Sequence, residues 1–154
     1  MLINTTRFGE VEISEESIIH IPEGMICLPS SKRYILLEDH PDVPLKWLQS
    51  LDNPALAFIV INPLDFFANY DIELADEDAE MIGLKDPSDA ALLTTVTVDK
   101  KAESVTTNLL GPIVINSKDL NAKQVVLQDE RYGTKHLIGE RANADAPLKA
   151  AGAA

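Results

Sequence analysis

Carboxylates are the side chains most able to do chemistry in this sequence, with 25 Asp and Glu against 13 Lys and Arg. A carboxylate pair can act as general acid and base when one member sits in apolar surroundings that raise its pKa. Asp65 in PLDFF and Asp129 in LQDERYGTKH come nearest to that condition. Both also suit turns, where Asp accepts hydrogen bonds from its own backbone, and that is the simpler role. The run DEDAE at 76–80 invites a calcium reading, but the twelve-residue loop pattern needs Gly at its sixth position and Glu at its twelfth. Those positions hold Met81 and Pro87, so calcium is rejected. His20, His40 and His136 are far apart and lack metal-ligand spacing, and the single cysteine, Cys27, makes no pair to join them. His20 lies within a strand pattern and is expected to be structural. Cys27 is expected to be a buried small hydrophobe. Gly9, Gly24, Gly83, Gly111 and Gly133 are isolated, so no phosphate-cradling loop of either common type is present. No catalytic residue, metal or cofactor is expected.

The elements that carry these residues are mostly strands. In FGEVEIS, Val11 and Ile13 share one side while Glu10, Glu12 and Ser14 share the other. SIIHI, RYILLED, LKWLQSLD, ALLTTVTVD, PIVIN and KQVVLQD continue the series. NPALAFIVINP is an apolar run between Asn-Pro breakers, as a strand buried on both faces requires. Seven to nine short strands separated by turn signals predict an all-β fold, a small antiparallel β-barrel-like structure, closed or nearly so. One segment departs from the strand period. LADEDAEMIGLKDPSD has an acidic first turn, Asp76 placed as N-cap and Gly83 placed to stop it, which predicts one short helix from about 76 to 82. The expected domain spans 1–138. From 139 to 154 the alanine-rich composition offers no apolar stripe, and a disordered tail is expected there.

The total charge of −12 repels phosphate backbones, since nucleic-acid affinity comes mainly from Lys and Arg. Direct nucleic-acid binding is therefore not expected, and a basic protein partner is favoured. No apolar run approaches the roughly 20 residues of a membrane span, and the N-terminal residues turn polar by residue 4, unlike a secretory signal. The chain reads as cytoplasmic.

Against that charge, TTNLLGPIVIN at 106–116 is almost neutral. Ile113 and Ile115 are expected in the core. Alternation then turns Pro112 and Val114 outward, or toward a second layer. Pro112 has no N–H to donate, which argues for an edge or a strand start. An edge with an apolar outer face is a docking line for a partner, and Asn108, Leu110, Pro112, Val114 and Asn116 are assigned to it. Phe66, Phe67 and Tyr70 in DFFANY are candidate aromatic anchors, or else a plug closing one end of the barrel. The acids Asp76, Glu77, Asp78 and Glu80 are expected to face a basic partner, or are simply a solvated helix face.

Three long stretches resemble the flagellar assembly factor FliW family: RFGEVEISEESIIHIPEGM, LLEDHPDVPLKWLQSLDNPALAFIVINPLDFFANYDIEL and TTNLLGPIVINSKDLNAKQVVLQDERYGTKH. The resemblance covers residues 1 to 138. WLQSLDNPALAFIVINP followed by NLLGPIVIN is its most specific pair. The loop PEGMICLPSSKRY and the ending TKHLIGE depart from the family's usual pattern. Membership implies a small cytosolic all-β binding protein that is not an enzyme and is monomeric when free. It implies two alternative partners, the translational repressor CsrA and newly made flagellin. Bound CsrA would be unable to repress flagellin messenger RNA, and accumulating flagellin would capture the binding protein and release CsrA. The resemblance adds a further role for Asp76, Glu77, Asp78 and Glu80, which beside CsrA would repel its bound RNA. The alternative of a different class is a small β-barrel enzyme or small-ligand carrier that uses acids in its mouth.

Overall fold

The longest strand, Ala90–Asp99, organises the molecule. Its sequence AALLTTVTVD is rich in β-branched residues, which suit a pleated surface. The computed structural model describes residues 1–38 and 42–139. His40, and the expected tail apart from Gly139, lie outside the described residues. In chain order the strands are β1 (Leu2–Thr5), β2 (Gly9–Glu12), β3 (Ile19–His20), β4 (Arg33–Leu37), β5 (Leu45–Ser50), β6 (Ala57–Ile61), β7 (Ala90–Asp99), β8 (Ser104–Thr107), β9 (Ile113–Asn116), β10 (Ala122–Gln124) and β11 (His136–Gly139). The strand β11 thus reaches one residue into the expected tail. β1 and β2 form a separate hairpin. The remaining nine strands make one antiparallel sheet along β10-β9-β7-β6-β5-β4-β3, with β8 pairing both β7 and β11. The two ends of that path meet, because the His20 N–H donates to the Leu120 carbonyl at 2.9 Å and His20 bridges Asn121 in parallel. The sheet is therefore curled almost to closure, as the pattern of short strands predicts.

Alternation sorts side chains to the two faces of this curled sheet. Ile113 and Ile115 of β9 join Tyr34, Leu48, Val60, Leu93 and Ala122 in the central core. Each such fully buried aliphatic side chain contributes about 1.5–3 kcal/mol. Gln49 is also buried, with its amide nitrogen 2.9–3.2 Å from the carbonyls of Ser50, Pro54 and Leu56. β4 and β5 are joined at their ends by Asp52, whose carboxylate accepts from the Lys32 and Arg33 N–H groups and from the Arg33 guanidinium.

β7 divides its pairing. Residues Ala90 to Leu93 pair with β9 and Val96 to Asp99 pair with β8. β8 and β9 thus lie along successive halves of one neighbour, and Asn108–Pro112 is the excursion between them. The expectation of an edge strand fails here: β9 lies between β7 and β10. Pro112 marks a strand start, the other role its missing N–H allows.

The helix α1 is Asp76–Met81, within the expected span. Ala75, not Asp76, occupies the N-cap, and it makes no side-chain cap bond. Asp76, Glu77 and Asp78 fill the first turn, where negative charge complements the exposed N–H groups. Gly83, at φ +67°, ends the helix. The Gly83 N–H donates to the Glu80 carbonyl and the Leu84 N–H to the Ala79 carbonyl, the paired closure that a left-handed glycine permits. One further expectation is corrected: Cys27 is exposed, in a tight loop where it adopts φ +70°. His20 lies in β3, as its strand pattern predicts, with its side chain exposed because its neighbours Ile19 and Ile21 take the inward positions.

Candidate functional site

The outer face of β9 is apolar, but the chain covers it with its own residues 66–84. Val114 is 1% exposed and packs with Tyr70, Ile82, Leu109, Val125 and Leu127. The second layer is thus intramolecular, and Val114 and Pro112 form no open docking line. Asn116 is 3% exposed for the same reason. Its side-chain amide donates to the Ile82 and Gly83 carbonyls at 3.0 and 3.1 Å, and its Oδ1 accepts from the Lys118 N–H. It pins the end of α1 to the sheet. Asn108 is half-buried and accepts from the Leu110 and Gly111 N–H groups, which shapes the turn. Leu110 is half-buried and donates its N–H to the Gly133 carbonyl at 3.1 Å.

The aromatics of DFFANY divide between packing sites. Phe66 is half-buried against Leu45, Ile61 and Val105. Phe67 meets His136 edge to face at 5.9 Å. Tyr70 is buried and its hydroxyl donates to the Leu109 carbonyl at 2.7 Å. Burial pushes the Tyr70 phenol up from its ordinary pKa, and Tyr132 adds to the shift. Tyr132 was not singled out in the sequence and His136 was weighed there only as a metal ligand, yet they bind this region together. Tyr132 packs edge-on to Tyr70 at 4.7 Å and its hydroxyl accepts from the Asp71 N–H. His136 Nε2 accepts from the Gly133 N–H at 2.7 Å, and the Gly133 carbonyl accepts from Leu109 and Leu110. One patch of side chains thus connects the two stretches singled out in the sequence, DFFANY and TTNLLGP.

Beside this patch runs an open groove of about 790 Å³. One wall is 71–75 with Asp78; the other is 125–131. Exposure alternates along both walls: Asp71, Glu73 and Ala75 face solvent while Ile72 and Leu74 are half-buried, and Val126 and Gln128 face solvent while Val125 and Leu127 are buried. The groove therefore has an apolar floor and a polar rim. Five acids line it, Asp71, Glu73, Asp78, Asp129 and Glu130, against one base, Arg131. That base is already committed, because its guanidinium makes a two-toothed pair with Asp129 at 2.7–3.1 Å. The same bonds from Arg131 hold the Asp129 carboxyl below its usual range. Asp129 is thus a turn residue, with its Oδ1 also accepting from the Arg131 N–H, and its pKa moves opposite to a general acid's. Asp65 is exposed in a short turn, Pro63–Asp65.

The acidic helix contributes unevenly. Asp76, Glu77 and Glu80 are exposed. Asp78 is half-buried and pairs with Lys123 of β10, which also lies 3.8 Å from Glu23. The bond to Asp78 holds the Lys123 ammonium above its ordinary pKa. A second groove of about 910 Å³ adjoins the first and is lined largely by apolar residues, among them Leu64, Ile72, Leu74, Leu84 and Leu92. Among the described residues no group of three or more His, Cys, Asp and Glu is arranged to hold a metal, and no helix is long and apolar enough to cross a membrane.

Comparison with known proteins agrees over nearly the whole described chain. The family model described as FliW protein matches residues 2–138. A flagellar assembly factor FliW of Geobacter sulfurreducens is 40% identical over 150 residues, covering 97% of this chain and 94% of that protein. The Bacillus subtilis flagellar assembly factor FliW is 40% identical over 139 residues, covering 90% and 97%. A crystal structure of the flagellar assembly factor FliW aligns with TM-score 0.83 at 34% identity, covering 91% of this chain and 98% of that one. The curled antiparallel sheet and the sequence likeness lead to one conclusion: this chain belongs to the FliW family of flagellar assembly factors.

Proposed function

We propose that this protein is a cytosolic partner switch in flagellar assembly, binding the translational repressor CsrA and, alternatively, newly made flagellin. Family membership supports the reading, and the acidic groove with its apolar floor is the observation that carries it. A repressor that holds messenger RNA must present Lys and Arg to phosphates. A surface bearing Asp71, Glu73 and Glu130, with Asp76, Glu77 and Glu80 on the neighbouring helix, attracts such a protein and repels its RNA. In this reading the partner surface is that acidic face. Pro112, Val114 and Asn116 support it from beneath, and Phe67 and Tyr70 brace the segment that forms one wall. In this switch the two partners exclude each other. The test is to titrate purified flagellin into a preformed complex with fluorescently labelled CsrA and follow anisotropy. Displacement of CsrA is expected. A stable three-protein complex, or no binding of either partner, would reject the switch.

A further inference from the structure

The wall at 125–128 has the form of an unfinished sheet edge. After β10 the chain keeps pairing with the 110–112 excursion, since the Val125 N–H donates to the Pro112 carbonyl at 2.9 Å and the Leu127 N–H to the Leu110 carbonyl at 2.8 Å. The regular ladder nonetheless stops at Gln124, because Pro112 has no N–H to return and the Leu110 N–H is spent on Gly133. Residues between the two donors face the other way. The N–H groups of Val126 and Gln128 have no partner among the described residues, and the Val126 side chain is 62% exposed. Opposite them, the N–H groups of Ile72, Glu73 and Leu74 also lack partners among the described residues. Two strand-like walls with free backbone donors thus face one open groove.

We infer that this groove binds an extended, Lys- or Arg-bearing polypeptide segment by strand addition along Val125–Gln128. Free edge groups are a template for a further strand, and backbone bonds give such binding its register. The occupant's charge follows from the rim. Asp71, Glu73 and Glu130 make no ion pair among the described residues, while the groove's one cation is held by Asp129. Alternation in an incoming strand places every second side chain over the apolar floor of Ile72, Leu74 and Leu127, and turns its basic side chains toward the acids. The inference rests on the reading that this groove receives a protein partner. It adds the conformation and the chemistry of the segment that enters.

A synthetic heptapeptide of alternating lysine and valine is the probe, titrated into the full chain with amide hydrogen exchange and calorimetry as readouts. Binding should slow exchange at Val126 and Gln128 by about tenfold or more and leave the amides of Val125 and Leu127, already bonded, little changed. The same peptide N-methylated at alternate residues should bind about tenfold more weakly, equivalent to about 1.4 kcal/mol. The Val126→Pro variant removes one donor at an exposed position and should lose affinity similarly. Should that variant not fold, the N-methylated peptide alone decides the matter. Equal affinity of the N-methylated peptide would overturn strand addition, and so would unchanged exchange at Val126 and Gln128 under saturating peptide. Equal binding of an alternating glutamate and valine heptapeptide would overturn the charge assignment. Neither CsrA nor flagellin is present in this experiment, so its failure is distinguishable from failure of the displacement titration.

Discussion

Val114 shows how one buried side chain decides what a surface can do. It lies between β9 and the covering segment, among Tyr70, Leu109 and Val125. A charge there has neither water nor a partner, so Val114→Glu should cost more than about 4 kcal/mol and largely unfold the protein. Circular dichroism and the soluble yield will report it, and any loss of partner binding will follow from unfolding. Asp52 offers a gentler test. Partial burial pushes its carboxyl upward, but the bonds from Lys32 and Arg33 outweigh that and hold it below its ordinary value. A depressed folded pKa contributes stability that is present above the unfolded carboxylate pKa of about 3.9 and is lost as pH falls through the folded value. The Asp52→Asn variant should therefore melt below the parent at neutral pH, and the gap should close in acid below about pH 4. A melting difference independent of pH across that window would reject the linkage.

At the scale of elements, α1 is the informative case. Six residues are too few for a helix to persist alone, so its order depends on anchors. Asn116 supplies one at the C-terminal end and Lys123 supplies one through Asp78. Removing two bonds to backbone carbonyls with Asn116→Ala should cost about 1–3 kcal/mol. Hydrogen exchange should quicken first across 76–84, before the sheet is affected. The helix was legible in the sequence because its signals are local: acids in the first turn and Gly83 just past the end. The strands were legible through alternation, which placed Ile113 and Ile115 inside correctly. Whether Val114 met solvent or the protein's own chain depended on residues some 40 positions earlier folding back over it, and periodicity carries no information about that. Cys27 was misplaced for a related reason. Its loop is set by a left-handed turn and by the Ile26 N–H reaching Gln124 Oε1 at 2.8 Å, a contact with no local signature. The groove walls were half visible. DIEL and VVLQD alternate in the sequence, but only the fold brings them face to face.

Across the whole molecule, charge is unevenly spent. Arg33, Lys46, Lys118, Lys123 and Arg131 are each paired with an acid, while Asp71, Glu73, Glu130, Asp76 and Glu80 make no ion pair among the described residues and contribute to long-range attraction. Under the proposed function, replacing Asp71, Glu73 and Glu130 by Asn, Gln and Gln should slow association with CsrA about tenfold at low salt and change the melting temperature little. The difference should shrink as salt shortens the screening length toward about 8 Å near physiological strength. Stopped-flow association at several ionic strengths will measure it. Equal rates for parent and variant would move the partner surface elsewhere.

Every neighbouring pair along the main sheet is laced by a run of partners, except where the first and last strands touch at His20 and Asn121. A cylinder sewn so lightly along one line has a preferred place to part. Gentle heating should open that seam before the rest of the wall yields, letting water reach Ile21 and Ala122 while the β4–β5–β6 panel holds. Natural variation, or an engineer wishing to stiffen the protein, would gain most by adding stitches there.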